Sequence, residues 1–482
     1  MFKLKKILIH FLKFYELDLR ALSLMRIGIS LVVIADLLIR GSDLTAHYTN
    51  EGLWPTELLH NFGWKKGFWS LHELSGSYAW ALTLFIIQFV FAVFLLVGFK
   101  TKLSNLILWL LYISLHNRNL FVQQAGDDLL RLVLFWGMFL PWNAYYSFDS
   151  RYFYYEPKQR YIANFGYLLL IASVYFFTIN LKWSNEWRND FTAIYYALSL
   201  EQLRLPITGD WLYSHSGIMT FLTAFVYYLE IALPFLILWP SKKGYFRFVA
   251  FVLLVILHTG IGLTLYVGLF FVINMVTAIG LIPSFVMDKL ESKVSFMSTE
   301  SDAVYLRKAP RKLNLKFVTN IIALVAIFLS AIINLSGMKW FNYELNDKIK
   351  ISVNVARLDQ YWGMFSPSVL KRDGWFVYHG KDSLGRQWDL RLNQDYVDYK
   401  KPEHIVSMYK TDRWRKLAEN MQRDDFTFLR PLYCNYVLRE WNKNHPEKKI
   451  NMLNLYYMQK ESLPDYKTSE AKQILFSVCD GR

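Results

Sequence analysis

The chain has 482 residues, of which 54% are hydrophobic and 18% aromatic, with 54 Lys and Arg against 39 Asp and Glu and a formal net charge of +15. Apolar runs that approach the length of a bilayer span recur along it, which marks a membrane protein and excludes an ordinary soluble globule. The positive charge does not point to nucleic acid, because the basic residues gather at alternate ends of the apolar segments and no nucleic-acid signature accompanies them.

In chain order, residues 1–15 are basic and partly apolar, are interrupted by lysines, and have no small-residue cleavage site behind them. They read as an amphipathic helix on the inner membrane surface rather than as a cleaved signal. Predicted spans then occupy 19–38, 78–97, 103–115, 129–142, 162–181, 218–239, 246–267, 269–287 and 317–335. That makes about nine, the third and fourth short enough to be tilted, broken or partly re-entrant. Lys3, Lys5, Lys6, Lys13 and Arg20 precede the first span, Lys100 and Lys102 follow the second, Arg151, Lys158 and Arg160 the fourth, and Lys242, Lys243 and Arg247 the sixth. The opposite loops are poorer in such residues, so the N-terminus is expected on the cytoplasmic side and, with an odd span count, the C-terminal part outside.

Residues 288–316 are polar and charged and read as a cytoplasmic linker between a membrane domain over 1–287 and a last span over 317–338. From residue 339 to 482 the composition turns polar and aromatic. Two alternating runs, Asp373-Gly374-Trp375-Phe376-Val377-Tyr378 and Gln387-Trp388-Asp389-Leu390, flank a glycine-containing turn and predict a β-hairpin. Helices are expected over 413–421 and 428–442, and strands over 450–459 and 473–478. The fold class is therefore mainly α: a polytopic helical membrane bundle with a small C-terminal α+β domain outside the membrane. Cys434 and Cys479, the only two cysteines, both fall in that outward part, where a disulfide is permitted.

Polar side chains in or at the ends of spans are costly and carry the chemistry in membrane proteins. Lys182 closes the fifth span, just before Trp183 and Trp187. It is either a snorkelling lysine that ends a helix or a desolvated amine usable as a general base. His47 follows the first span, His116 and Asn117 the third, and Asp127, Asp128 and Arg131 open the fourth. The two aspartates suit the positive end of a helix and stand three or four residues from Arg131, which is free to pair with one of them or to hold a substrate oxygen. His258 lies inside the seventh span, and Glu230 in the sixth must be protonated, paired or facing water, with Lys182 and His258 as candidate partners. Phosphate loops, dinucleotide glycine patterns, zinc motifs and nucleophile elbows are all missing, and the scattered histidines have no metal-ligand spacing. A transporter reading is weak, since no internal repeat is visible.

Ordered blocks along the membrane region resemble the HTTM membrane proteins, the group that includes the vitamin K-dependent γ-carboxylases. These are Asp18-Leu19-Arg20, Arg26-Ile27-Gly28, Ala46-His47-Tyr48, Gly98-Phe99-Lys100-Thr101-Lys102, Ser114-Leu115-His116-Asn117-Arg118-Asn119, Gly126-Asp127-Asp128-Leu129-Leu130-Arg131, the stretch from Tyr175 to Trp187, and His258-Thr259-Gly260. Leu358-Asp359-Gln360-Tyr361-Trp362-Gly363-Met364-Phe365-Ser366-Pro367 in the tail is similar to bacterial members, which implies a bacterial inner membrane. The resemblance implies that Lys182 deprotonates a reduced vitamin K or menaquinone-type hydroquinone. Oxygen then adds, a strongly basic oxygen species removes a glutamate γ-proton, and carbon dioxide captures the carbanion, with no metal involved. It further implies a glutamate-containing protein or peptide as substrate, guided by the outward domain. His258, His116, Asn117, Asp127, Asp128, Arg131, Glu230 and His47 would shape the site. The chain departs from the carboxylases at Leu181-Lys182, where they carry paired lysines, and has no clean counterpart of their asparagine–histidine element near Gly126-Asp127-Asp128. A non-enzymatic protein that binds a lipid or quinone, or anchors its outward domain, is the competing reading.

Overall fold

A computed structural model describes residues 10–151, 158–159, 162–293, 313–341 and 343–481. The molecule is mainly helical. The helices that matter below are α1 (Leu19–Gly41), α2 (Leu44–Tyr48), α3 (Tyr78–Val97), α4 (Thr101–Arg118), α5 (Ala125–Gly137), α6 (Ile162–Leu181), α7 (Ser216–Leu238), α8 (Tyr245–Thr264), α9 (Phe270–Ala278), α10 (Ser284–Lys293), α11 (Leu313–Ser336), α12 (Asp347–Ala356), α13 (Asp412–Met421) and α14 (Leu429–Asn444).

Among the described residues, six helices are long and apolar enough to cross a membrane: α1, α3, α6, α7, α8 and α11, the last over Val318–Ser336. A seventh arises if the bent unit of Phe270–Leu281 and Ser284–Lys293, broken by 100°, counts as one span. The stretches expected at 103–115, 129–142 and 269–287 therefore differ from simple spans. Polar residues stand at both ends of α4, α5 has only 13 residues, and Pro283 falls at the break before α10. Burial separates inner from outer helices: 72% of the apolar window of α6 is buried, against 17% for α11. The peripheral helices turn Phe221, Phe235, Ile256 and Phe328 outward, each more than half exposed. Large apolar side chains displayed along several helices at once suit lipid rather than water.

The helix ends sort into two opposite layers. At one end, the Tyr15 hydroxyl donates to the carbonyl of Leu238 at the close of α7, and Arg247 at the opening of α8 donates to the Phe14 carbonyl. Arg20 there pairs with Asp18, Asp288 and Glu291. Arg26 donates to the carbonyls of Leu95 and Leu96, where a cation complements the negative end of α3. Gly98 (φ +70°) ends that helix in a left-handed turn, and a Cβ there would strike Ser147 and Arg26. The far ends of α1, α4 and α6 and the start of α5 form the other layer, onto which the C-terminal part packs.

The C-terminal sheet has the antiparallel order β2-β1-β3-β4, with β1 Arg372–Lys381, β2 Gln387–Asp389, β3 Met452–Glu461 and β4 Lys472–Asp480. Residues 382–386 turn from β1 to β2. Phe376 faces Tyr457 across the β1–β3 pair. Helix α14 packs on β3 and β4, and Cys434 on that helix is disulfide-bonded to Cys479 on β4. Leu53, Trp54, Phe121 and Val122 from the membrane half enter this core, while Val353, Leu358 and Trp362 of the tail enter the core of the bundle. The two halves are therefore interleaved. The inner-surface helix expected over 1–15 is described only from His10, as a short helical stretch that buries Leu12 and Tyr15. Most of the expected linker, 294–312, lies outside the described residues.

Two expectations follow for the C-terminal part. The Cys434–Cys479 bridge closes a sequence separation of 45, for which chain entropy gives about 4 kcal/mol. Cys434→Ser is expected to lower the melting temperature by several degrees, and thiol alkylation of the native chain should begin only after reduction. The carboxyl of Asp373 accepts the backbone N–H of Glu201 at 2.7 Å, and its burial pushes it up to about 6 despite Lys460. A carboxyl raised in the folded state is fully stabilised below the unfolded value and loses that contribution as pH rises toward 6. Thermal stability should therefore fall between pH 4.5 and 6.5 more steeply in the wild type than in Asp373→Asn.

Candidate functional site

Lys182 follows the last residue of α6 and is 3% exposed. It does not snorkel. Its Nζ donates to both carboxylate oxygens of Glu230 on α7, at 2.9 and 2.7 Å. The indole of Trp187 lies 3.8 Å from the same Nζ, a cation–π contact that adds to the carboxylate. Arg188 donates to the Lys182 carbonyl at 3.0 Å and so closes the end of α6. On α7, Pro234 has no N–H to offer the carbonyl four residues back, which is that of Glu230. The helix is thus locally relaxed at the residue that pairs with the lysine.

One and two turns below Lys182, Thr178 and Tyr175 continue the same face of α6. The Tyr175 hydroxyl meets His258 Nε2 of α8 at 2.9 Å, and the imidazole packs edge-on to Phe270, centroids 5.5 Å apart. His258 Nδ1 has no protein partner among the described residues. Glu230 lies within electrostatic reach of Tyr175. The site is roofed by the tail. Trp362, 1% exposed, offers its carbonyl to Thr178 at 3.0 Å, and the Phe365 carbonyl receives the Trp187 indole N–H at 2.9 Å. Glu186 ties the roof down through the backbone N–H of Val369 at 3.1 Å and the Lys371 ammonium at 2.8 Å.

The remaining expected residues belong to a second network. Arg40 donates to Asp36, Tyr48 and Asp127, each at 2.7 Å. Arg413, from α13 of the tail, reaches Asp36 at 2.7 Å and chelates Asp127 with both terminal nitrogens. Tyr112 donates to Asp36 at 2.9 Å, and the Gln124 backbone N–H donates to Asp127 at 2.9 Å in a capping box. Arg131 pairs with Asp128 at 2.8 Å, three residues back, and also meets His116 Nδ1 at 3.2 Å and the carbonyls of Arg357 and Asp359 at 2.8 and 2.9 Å. Asn117 accepts from Arg357. His47 packs against Trp414, centroids 4.5 Å apart, and burial pushes its imidazole down to about 3, so it stays neutral.

Of the residues expected to surround Lys182, Glu230 touches it and His258 stands on the adjoining hydrogen bond. His116, Asn117, Asp127, Asp128, Arg131 and His47 have no hydrogen bond or ion pair to Lys182 or Glu230 among the described residues. Arg40 and Arg413 went unnoticed in the sequence. An Asp36–Arg40 pair at i and i+4 inside an apolar stretch is a readable signal. Nothing near Arg413 distinguishes it from other arginines of a basic tail.

The chain matches no family model, no curated protein and no solved structure.

The second network generates a sharp expectation. Truncating one partner of a buried ionic cluster typically costs about 3–5 kcal/mol, because the other charge is left uncompensated. Arg413→Ala should therefore be strongly destabilising, and Arg413→Ala combined with Asp127→Asn should recover part of the loss. Thermal melts of the purified variants give the coupling.

Proposed function

We propose that this protein is a multi-pass membrane enzyme with carboxylase-like chemistry, in which Lys182 deprotonates a hydroquinone at the outward end of the bundle. The observation that carries the reading is the buried Lys182–Glu230 pair beneath an aromatic roof. Transfer of the shared proton from Lys182 to Glu230 conserves the net charge of the pair, so a free amine is generated without leaving a lone ion in a dry site. That amine takes the hydroxyl proton of the substrate: an O–H bond breaks, an N–H bond forms, and the resulting oxyanion faces an ammonium. Exclusion of water protects the reactive species that follow.

The finer assignments belong to the same proposal. The chain resembles the HTTM proteins, it crosses the membrane about nine times with α4 and α5 as passes, and its N-terminus is cytoplasmic in a bacterial inner membrane. The substrates are a reduced vitamin K or menaquinone-type quinol, oxygen and carbon dioxide, with a glutamate-containing peptide as acceptor.

One observation favours a second reading. Glu230 neutralises Lys182 in a bidentate contact, which by itself satisfies the lysine as a structural group. The membrane half would then bind a lipid or quinone, or anchor the outward domain, without turnover.

The test is quinone epoxide formation, read by mass spectrometry, with purified protein, reduced vitamin K or menaquinone, oxygen and a glutamate-containing peptide. Lys182→Met is expected to lose at least roughly 100-fold in rate, the scale of a missing general base. A second variant, Lys182→Met with Glu230→Gln, removes both charges and guards against a folding defect. Epoxide made equally well by either folded variant removes the base assignment. No epoxide from folded wild type with several quinols selects the anchoring reading.

A further inference from the structure

We propose that the outer end of α4 holds a small carboxylate-type anion, bound by the Arg118 guanidinium between Tyr48 and His72. Arg118 is fully buried, and Nε, Nη1 and Nη2 all lack an acceptor among the described residues. Other buried arginines are not left this way. Arg40 and Arg413 meet carboxylates, Arg26 and Arg131 meet backbone carbonyls, and Arg357 meets Asp359. A buried cation without a counter-charge costs several kcal/mol, so the position is complementary to an anion.

The neighbours point the same way. Tyr48 and His72 lie within electrostatic reach of the guanidinium and bring no negative charge near neutral pH. The Tyr48 oxygen already accepts from Arg40 at 2.7 Å, which leaves its own proton to donate. His72 Nδ1 lacks a partner among the described residues. The Arg118 nitrogens, with His72 Nδ1 in the tautomer that carries its proton there, thus have unused donors in one neighbourhood, and an acceptor-only ligand satisfies them. The planar fork of a guanidinium matches the two oxygens of a carboxylate.

Size is set by the walls. Phe85 stands with its ring 5.3 Å from that of Tyr48 and 6.3 Å from that of His72. Arg118, Tyr48 and His72 are each no more than 2% exposed. Rings packed this closely around side chains this buried suit a free anion of formate, acetate or bicarbonate size rather than a carboxylate carried on a peptide. The site shares no residue with the Lys182–Glu230 pair and does not depend on the proposed chemistry there.

The test uses the full chain in detergent, exchanged into a buffer whose only anion is a bulky sulfonate. Sodium formate, acetate or bicarbonate is titrated while the melting temperature is followed by tryptophan fluorescence. Benzoate serves as the oversized carboxylate, and sulfate at matched ionic strength as the screening control. A saturable rise is expected with the small carboxylates, as for any ligand that binds only the folded state, and none with benzoate. Arg118→Met should lose that rise while melting at or above the wild-type temperature in sulfonate alone, because an unpaired buried charge is gone. Arg118→Lys keeps the charge but not the fork, and should raise the half-saturating concentration by at least roughly tenfold. A wild-type melt that ignores small carboxylates beyond the sulfate control overturns the proposal. So does an equal rise in Arg118→Met or, should that variant not fold, an unchanged midpoint in Arg118→Lys.

Discussion

The structure turns on the contact between Arg413 and the carboxylates of Asp36 and Asp127. Those three residues come from α13, α1 and α5, far apart in sequence, and with Arg40 they form a nearly dry cluster of two cations and two anions. The charges balance, Tyr112 and the Gln124 backbone N–H donate to the carboxylates, and the Tyr48 oxygen accepts from Arg40. Such a cluster is weak evidence of net stability, since removing four charges from water costs about what their attraction returns. Its consequence is geometric. Misplacing the tail by one residue would leave buried charges alone, so the cluster fixes where the C-terminal part sits on the bundle. That placement lays Trp362 and Phe365 across the end of α6.

The roof is what changes the character of Lys182. An amine at the end of a membrane helix ordinarily stretches to water. Here the chain from Arg357 to Val369 occupies the route outward, while Trp187 and Glu230 occupy the sides. With water excluded, the lysine is left with one titratable contact, and Pro234 relaxes the helix that supplies it. The two ionic systems therefore differ in kind. The Arg413 cluster is cross-linked by several charges and has no spare proton acceptor. The Lys182 pair has a single proton to place between two groups of equal and opposite charge, so its protonation can rearrange without a change in net charge.

Much of the fold was legible because membrane spans and sheet hairpins announce themselves locally. Unbroken apolar runs marked α1, α3, α6, α7, α8 and α11, and alternation around a glycine turn marked β1 and β2. The expectation was weakest where burial came from protein rather than lipid. Helix α5 is short and almost wholly buried, so it needs no lipid-facing length, and Asn117 at the polar end of α4 is held by the Trp69 carbonyl and by Arg357 of the tail. The candidate site was half legible. Lys182, Glu230 and His258 stand out because polar groups in apolar runs are conspicuous. What surrounds them was not, since Trp362 and Phe365 lie 180 and 183 residues beyond Lys182 and reach the site only through the docking of the tail.

The same contrast explains why residues grouped together by their chemistry separate in space. His116, Asp127, Asp128 and Arg131 look like an active-site set when read as a list, for each is a polar group near the end of an apolar segment. In the structure Asp127, Asp128 and Arg131 are each engaged by a partner of opposite charge, His116 meets Arg131 through Nδ1, and Arg131 also holds two carbonyls of one tail segment, those of Arg357 and Asp359. A polar group with its capacity filled positions chain. A group with capacity to spare, or with one exchangeable proton, is available to a ligand. By that criterion the Lys182–Glu230 pair and Arg118 stand apart from the charged groups of the Arg413 cluster. The closed cluster around Arg413 holds the frame in which both stand.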